Sequence, residues 1–135
     1  GWWPDEAFDG LQQGIVDESC YAYTGANEAC NVCDGWENGL TKITGWHKLT
    51  DLSAMKEFVS TVGPVTACFT VYEDFNHHYA GGVYSYDATT AGNVIGGHCI
   101  CIVGYDDSNS CWIAKNSWGE VRPKVPRAIR PRWRT

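Results

Sequence analysis

A histidine and an asparagine, His98 and Asn116, stand 18 residues apart at the outer ends of two strand-like runs. The first run is His98-Cys99-Ile100-Cys101-Ile102-Val103-Gly104-Tyr105, and the second is Cys111-Trp112-Ile113-Ala114-Lys115. Between them lies Asp106-Asp107-Ser108-Asn109-Ser110, a run of turn formers, so the segment is predicted to be a β-hairpin. Antiparallel pairing that sets residues 98 and 116 directly opposite puts both side chains on one face, with Cβ atoms about 5 Å apart. An imidazole steadied by a carboxamide is a general base with its orienting group, two thirds of a nucleophilic triad.

Seven cysteines (20, 30, 33, 68, 99, 101 and 111) are candidates for the missing nucleophile, and the odd count leaves at least one unpaired within the chain. Cys99 neighbours His98, but successive strand side chains point to opposite faces. Cys101 and Cys111 share the face of Cys99 and are expected to pack, with a Cys101–Cys111 bridge, offset along the hairpin, as the alternative. Cys68 lies in a predicted strand and reads as a small buried apolar side chain. Cys30-Asn31-Val32-Cys33 has no second pair at zinc spacing. It is expected in a disulfide, or bonded to a mate on a missing segment. The adjacent His77-His78 diverge whether helical or extended, and no metal or cofactor is assigned.

The elements that must carry the hairpin are legible around it. Pro4, Asp5 and Glu6 suit the first turn of a short helix that Gly14 can stop, with Ala7, Phe8 and Leu11 as its buried stripe. Residues 15–48 lack a sustained period and read as loops with short strands, with Trp36 and Trp46 packing there and His47 on the surface. Thr50 to Val62 is the clearest helix: Leu52, Met55, Val59 and Val62 recur at helical spacing, Thr50 can cap it, and Gly63-Pro64 ends it. Pro64 to Tyr72 then alternates with β-branched residues and reads as a strand.

Charge is divided sharply along the chain. All 16 acidic residues and four of the ten basic ones fall in residues 1–120, a balance of −12, while residues 121–135 hold six basic residues and no acid. The tail carries three prolines and no apolar period, so it is expected to be disordered or aberrant. Nucleic-acid binding through it is an alternative that the acidic body opposes. No run of 18 apolar residues is present to span a membrane. Acidic charge and cysteine usage fit a secreted or lysosome-like setting.

At this point the chain resembles the C-terminal half of a papain/cathepsin-L-like cysteine peptidase. The matching stretches are Trp3-Pro4-Asp5-Glu6-Ala7-Phe8, Gly63-Pro64-Val65, Glu73-Asp74-Phe75, Gly81-Gly82-Val83-Tyr84, Gly97-His98, Ile102-Val103-Gly104-Tyr105-Asp106 and Trp112-Ile113-Ala114-Lys115-Asn116-Ser117-Trp118-Gly119. They follow the family order and cover residues 1 to about 120. The resemblance implies an α+β fold: the β-barrel-like lobe of the papain-like fold with a few short helices, incomplete. It divides the chain into a peptidase portion, 1–120, and the basic tail, 121–135.

The resemblance also implies roles. His98 would pair with the nucleophilic thiolate and protonate the leaving amine. Asn116 would hold the ring through its side-chain carbonyl, and Trp118 would cover that contact and exclude water. Gly97 and Cys99 would line the cleft near the substrate's second residue. Gly1 and Trp2 fall where the family binds the substrate strand through a Gly-Gly pair, a pattern from which Trp2 departs. The family nucleophile lies some 130–150 residues before the His, so it would precede Gly1, on a missing N-terminal lobe. The expectation is a fragment of a papain-like cysteine endopeptidase, with polypeptide substrates, that is inactive alone. The alternative from another class is a non-catalytic peptide-binding module. After Trp118-Gly119 the chain leaves the family pattern, which suggests a truncation, frame shift or intron read-through near residue 120.

Overall fold

The computed structural model describes residues 2–78, 81–118 and 127–130. It divides into two compact units, Gly1–Lys48 and Leu49–Thr135.

In the first unit helix α1 spans Pro4–Gln13, with Pro4, Asp5 and Glu6 in its first turn. Gly14 stops it at a φ of 118°, a conformation that costs glycine nothing, while its N–H donates to the Gly10 carbonyl at 3.1 Å. Ala7, Phe8 and Leu11 are half-buried rather than buried. Phe8 stacks on Trp46 with centroids 5.8 Å apart, and the Trp46 indole N–H donates to the Asp9 carboxylate at 2.9 Å. Trp36, expected to pack, is exposed. Ile15 and Thr41 exchange two backbone hydrogen bonds of 2.9 Å and close the intervening loops. Cys33 is bonded to Cys20, not to Cys30, which is exposed and free.

The second unit begins with helix α2, Leu52–Thr61. Its cap is Asp51 rather than Thr50: the Asp51 carboxylate accepts the Ala54 N–H at 2.8 Å. Of the predicted stripe, Met55 is buried and Val59 packs against the core, whereas Leu52 and Val62 at the helix ends are exposed. The strands are β1 (Val65–Tyr72), β2 (Val83–Ser85), β3 (Val94–Asp106), β4 (Cys111–Lys115) and β5 (Arg127–Arg130). They form one five-stranded sheet in the order β1-β3-β4-β5-β2, antiparallel except for the parallel β5–β2 pair. The α+β class is as expected, but the expected barrel-like closure is not made: among the described residues the edges β1 and β2 do not pair.

Two further features depart from the sequence expectation. A strand in the tail, where disorder was expected, is the first. Residues 127–130, in the stretch expected to be disordered, are strand β5, and Ile129 is 5% exposed opposite Trp112. Two apolar residues, Ala128 and Ile129, between arginines give no period to detect, yet one buried isoleucine is worth about 1.5–3 kcal/mol.

The hairpin register is the second. At the turn, Asp106 pairs with Cys111, Tyr105 with Trp112 and Gly104 with Ile113. A bulge at Val103 then shifts the pairing by one, so that Ile102 faces Ala114 and Cys101 faces Lys115. A one-residue slip exchanges the two faces of a strand. Without the bulge Asn116 would fall level with Cys101, on the outward face. With it, Asn116 falls level with Ile100, on the face that also carries His98. The pair is thus diagonal and not directly opposite as expected, because the bulge resets the register that the turn begins.

The inward face of β1, β3 and β4 supplies the core: Val71, Ile100, Ile102, Trp112 and Ala114, with Met55 of α2, Phe75 and Ile129. Among the described residues no helix is long and apolar enough to cross a membrane.

Candidate active site

The imidazole of His98 is placed by β3 alternation. Along β3, Gly97 and Cys99 are exposed while His98 is half-buried and Ile100 buried. Its cross-strand partner is Phe69 of β1. The ring Nε2–H donates to Asn116 Oδ1 at 2.7 Å. The Ser117 backbone N–H donates to the same oxygen at 2.8 Å. Two donors converging on one atom assign it as the amide oxygen, and an acceptor there keeps the proton on Nε2.

Aromatic rings enclose the contact. Trp118 lies 4.6 Å from the imidazole at 31°, and Phe69 meets the imidazole edge-on at 5.9 Å. Phe75, 1% exposed, touches both walls, at 5.6 Å from Trp118 and 5.3 Å from Phe69. Water is kept from one side of the hydrogen bond, which strengthens it. Phe75 is itself anchored from below. Its N–H donates to Asp74 Oδ1 at 2.6 Å, the Tyr84 hydroxyl donates to the same oxygen at 2.9 Å, and the Tyr84 ring packs on Phe75 at 4.7 Å. Burial, followed by the hydrogen bond to and charge of Asp74, pushes the Tyr84 hydroxyl well above the usual phenol range, so it remains a donor.

Asn116 carries a loose end. Its Nδ2 is buried with no hydrogen-bond partner among the described residues. A buried donor left so costs about 1–3 kcal/mol.

Of the residues singled out from the sequence, the structure brings His98, Asn116 and Trp118 together. Gly97 and Cys99 lie on the opposite, outward face of β3. Trp2, in the first unit, is 66% exposed, and Gly1 lies outside the described residues. Cys99 is bonded to Cys68, directly opposite on β1; Cys68 is therefore not the buried apolar side chain expected of it but an exposed half-cystine. Cys101 and Cys111 are not bridged: Cys101 pairs with Lys115 and Cys111 with Asp106, several rungs apart along the hairpin. Phe69 and Phe75 were missed. Alternation in β1 marks Phe69 as inward-facing, but only strand pairing says which residue it meets.

A family model described as papain family cysteine protease matches residues 1–122. A cathepsin B-like CP3 of Giardia intestinalis is 35% identical over 135 residues, covering 88% of this chain and 42% of its own length. Pro-cathepsin H of Mus musculus is 34% identical over 123 residues, covering 88% of this chain and 37% of its own. The chain thus spans less than half the length of these curated relatives. Among solved structures, the cysteine protease xylellain of Xylella fastidiosa superposes with a TM-score of 0.80 at 19% identity, over 96% of this chain and 55% of that one, a likeness of fold alone. Procathepsin L2 from the larval midgut of Tenebrio molitor gives 0.71 at 29% identity, over 96% of this chain and 42% of that one. With the family model matched over most of its length, and with cathepsins among its relatives, the chain belongs to the papain family of cysteine proteases.

Proposed function

We propose that this chain is the base-bearing part of a papain-like cysteine endopeptidase, and that alone it does not cleave peptides. One observation carries the reading: the 2.7 Å hydrogen bond from His98 Nε2 to Asn116 Oδ1 under the Trp118 ring. The nucleophile is a cysteine on a segment preceding Gly1. Its thiolate pairs with the His98 imidazolium, Nδ1 toward sulfur. The thiolate attacks the scissile carbonyl carbon, and His98 gives its proton to the departing amine, leaving an acyl-thioester. A water then transfers a proton to His98 and its oxygen attacks the thioester carbonyl, releasing the acid and restoring the ion pair. Proton transfer by a positioned group contributes typically about 10²–10⁴-fold. Asn116 keeps the ring in the tautomer both transfers need. Its unpartnered Nδ2 is in keeping with a further contact made by the segment that brings the thiol.

The placement of the cysteines of the second unit supports the inactivity. Cys99 is bonded to Cys68 and points away from the imidazole, Cys101 shares the outward face of Cys99 and pairs with Lys115, and Cys111 is buried opposite Asp106 at the turn end of the hairpin. Residues 1–120 as a peptidase portion and 121–135 as a separate basic tail are part of the same proposal, amended at β5. The test is to incubate the refolded chain with a fluorogenic dipeptide amide and a thiol-alkylating active-site probe. No turnover is expected; turnover abolished by labelling one of its seven cysteines would overturn the reading. The companion measurement joins an upstream cysteine-bearing lobe of the family to this chain, where turnover that requires His98 is expected.

A further inference from the structure

The outward face of the β1–β3 pair holds a feature that the His98 site does not use. Cys68 and Cys99 occupy one rung of the ladder and are bonded to each other. Both residues are exposed. The next rungs that point to the same face, two along in each direction, pair Thr70 with Gly97 and Thr66 with Cys101, so the neighbours along these two strands are small. Gly97 has no side chain, and among the described residues, its two chain neighbours aside, nothing stands within 4 Å of where its Cβ would be. The sulfur of Cys99 is therefore open to approach along the strand from the Gly97 side. Strands β1 and β3 are already paired from Val65–Ile102 to Tyr72–Val94, so the bond duplicates a connection that the backbone makes along eight rungs.

We propose that the Cys68–Cys99 cystine is a thiol–disulfide exchange site, opened in the folded chain by a low-molecular-weight thiol that enters over Gly97. The attacking thiolate forms a bond to Cys99 Sγ as the Cys68–Cys99 bond breaks, and the electron pair leaves on the Cys68 sulfur, which takes a proton. A second thiol attacks its own kind in the mixed disulfide, releasing Cys99 as a thiol and the small molecule as its disulfide. Two thiols are oxidised and one cystine reduced. Because the two thiols stay opposite each other on paired strands, the bond re-forms when the small disulfide is in excess. Phe69–His98 is the adjacent rung, so the exchange takes place one residue from the imidazole, on the other side of the sheet.

The exchange is read on the cysteines themselves, and its outcome does not depend on whether the chain is part of a peptidase. The full chain is incubated without denaturant in glutathione buffers of stepped reduced-to-oxidised ratio, quenched in acid, alkylated and mapped by mass spectrometry, with circular dichroism on each sample. The expected result is alkylated Cys68 and Cys99 at reducing ratios, a glutathione adduct on Cys99 at intermediate ones, and an unchanged native spectrum throughout. A cystine that stays closed until denaturant is added would overturn the proposal. So would opening that coincides with loss of the native spectrum, since the bond would then be a staple of the fold.

Discussion

Asp106 shows how much one carboxylate can organise. It accepts the Ser108 hydroxyl at 2.6 Å, the Asn109 amide at 2.7 Å and the backbone N–H groups of both residues, and these bonds hold its pKa down to about 2 from an ordinary 3.8. The Ser108 side chain is the largest cause. A carboxyl whose folded pKa is depressed stabilises the fold above its unfolded value, and that contribution disappears as pH falls through the folded one. The stability difference between the parent and Asp106→Ala should therefore be constant above about pH 5 and shrink between about pH 4 and pH 2, as denaturant unfolding at stepped pH would reveal. A difference that persists unchanged at pH 2 would contradict the assignment. Asn116 makes the complementary case. Asn116→Ala removes the acceptor of the imidazole Nε2–H, so ¹⁵N-detected spectra should lose the protected Nε2–H of His98. On the proposed function, joining the chain to a cysteine-bearing lobe of the family should give an enzyme in which the same change lowers kcat by about tenfold or more with little effect on KM, since tautomer control would serve proton transfer rather than substrate binding.

At the scale of elements the hairpin decides the site, and its bulge decides the hairpin. The turn register on its own would send Asn116 to the outer face; Val103 absorbs one residue and returns it to the face of His98. Deleting Val103 should remove the bulge yet keep Gly104 opposite Ile113 and Ile102 opposite Ala114, so the hairpin straightens and the His98–Asn116 hydrogen bond survives. The same Nε2–H resonance reports it, and its loss would show that the local geometry of the bulge, and not the register alone, sets the pair. Helix α2 reaches this hairpin from the side: Lys56 forms an ion pair with Asp107 and sits 5.2 Å over the Tyr105 ring. Exposed pairs of this kind contribute at most about 1 kcal/mol, so the helix is held by Met55 in the core far more than by its lysine.

For the molecule as a whole, strand β5 decides how the sheet of the second unit is completed. Strand β5 places Ile129 in the core beside Trp112 and completes the sheet by linking β4 to β2. Ile129→Ala should therefore lower the unfolding free energy by about 2–5 kcal/mol, the cost of truncating a buried aliphatic side chain. Chemical denaturation would measure it, and a change under about 0.5 kcal/mol would mean that residues 127–130 lie outside the cooperative unit. A basic stretch can look like a solvated tail by composition and still contribute a strand, because the sheet needs only one apolar residue from it.

What could be read from residue order alone was whatever is local. Turn formers between two apolar runs announced the hairpin, helical spacing announced α2, and the motifs around His98 and Asn116 announced the family and the two residues to watch. Their sharing of a face was anticipated, though through a direct pairing that the bulge replaces with a diagonal one. Contacts between distant segments were not legible: Phe69 against His98, Phe75 beneath Trp118, Cys68 bonded to Cys99 and Ile129 against Trp112 all depend on which strand lies beside which, and at what offset. Alternation tells which way a side chain points, but a strand period is the same in every register, so the neighbour it meets is chosen only when the core closes.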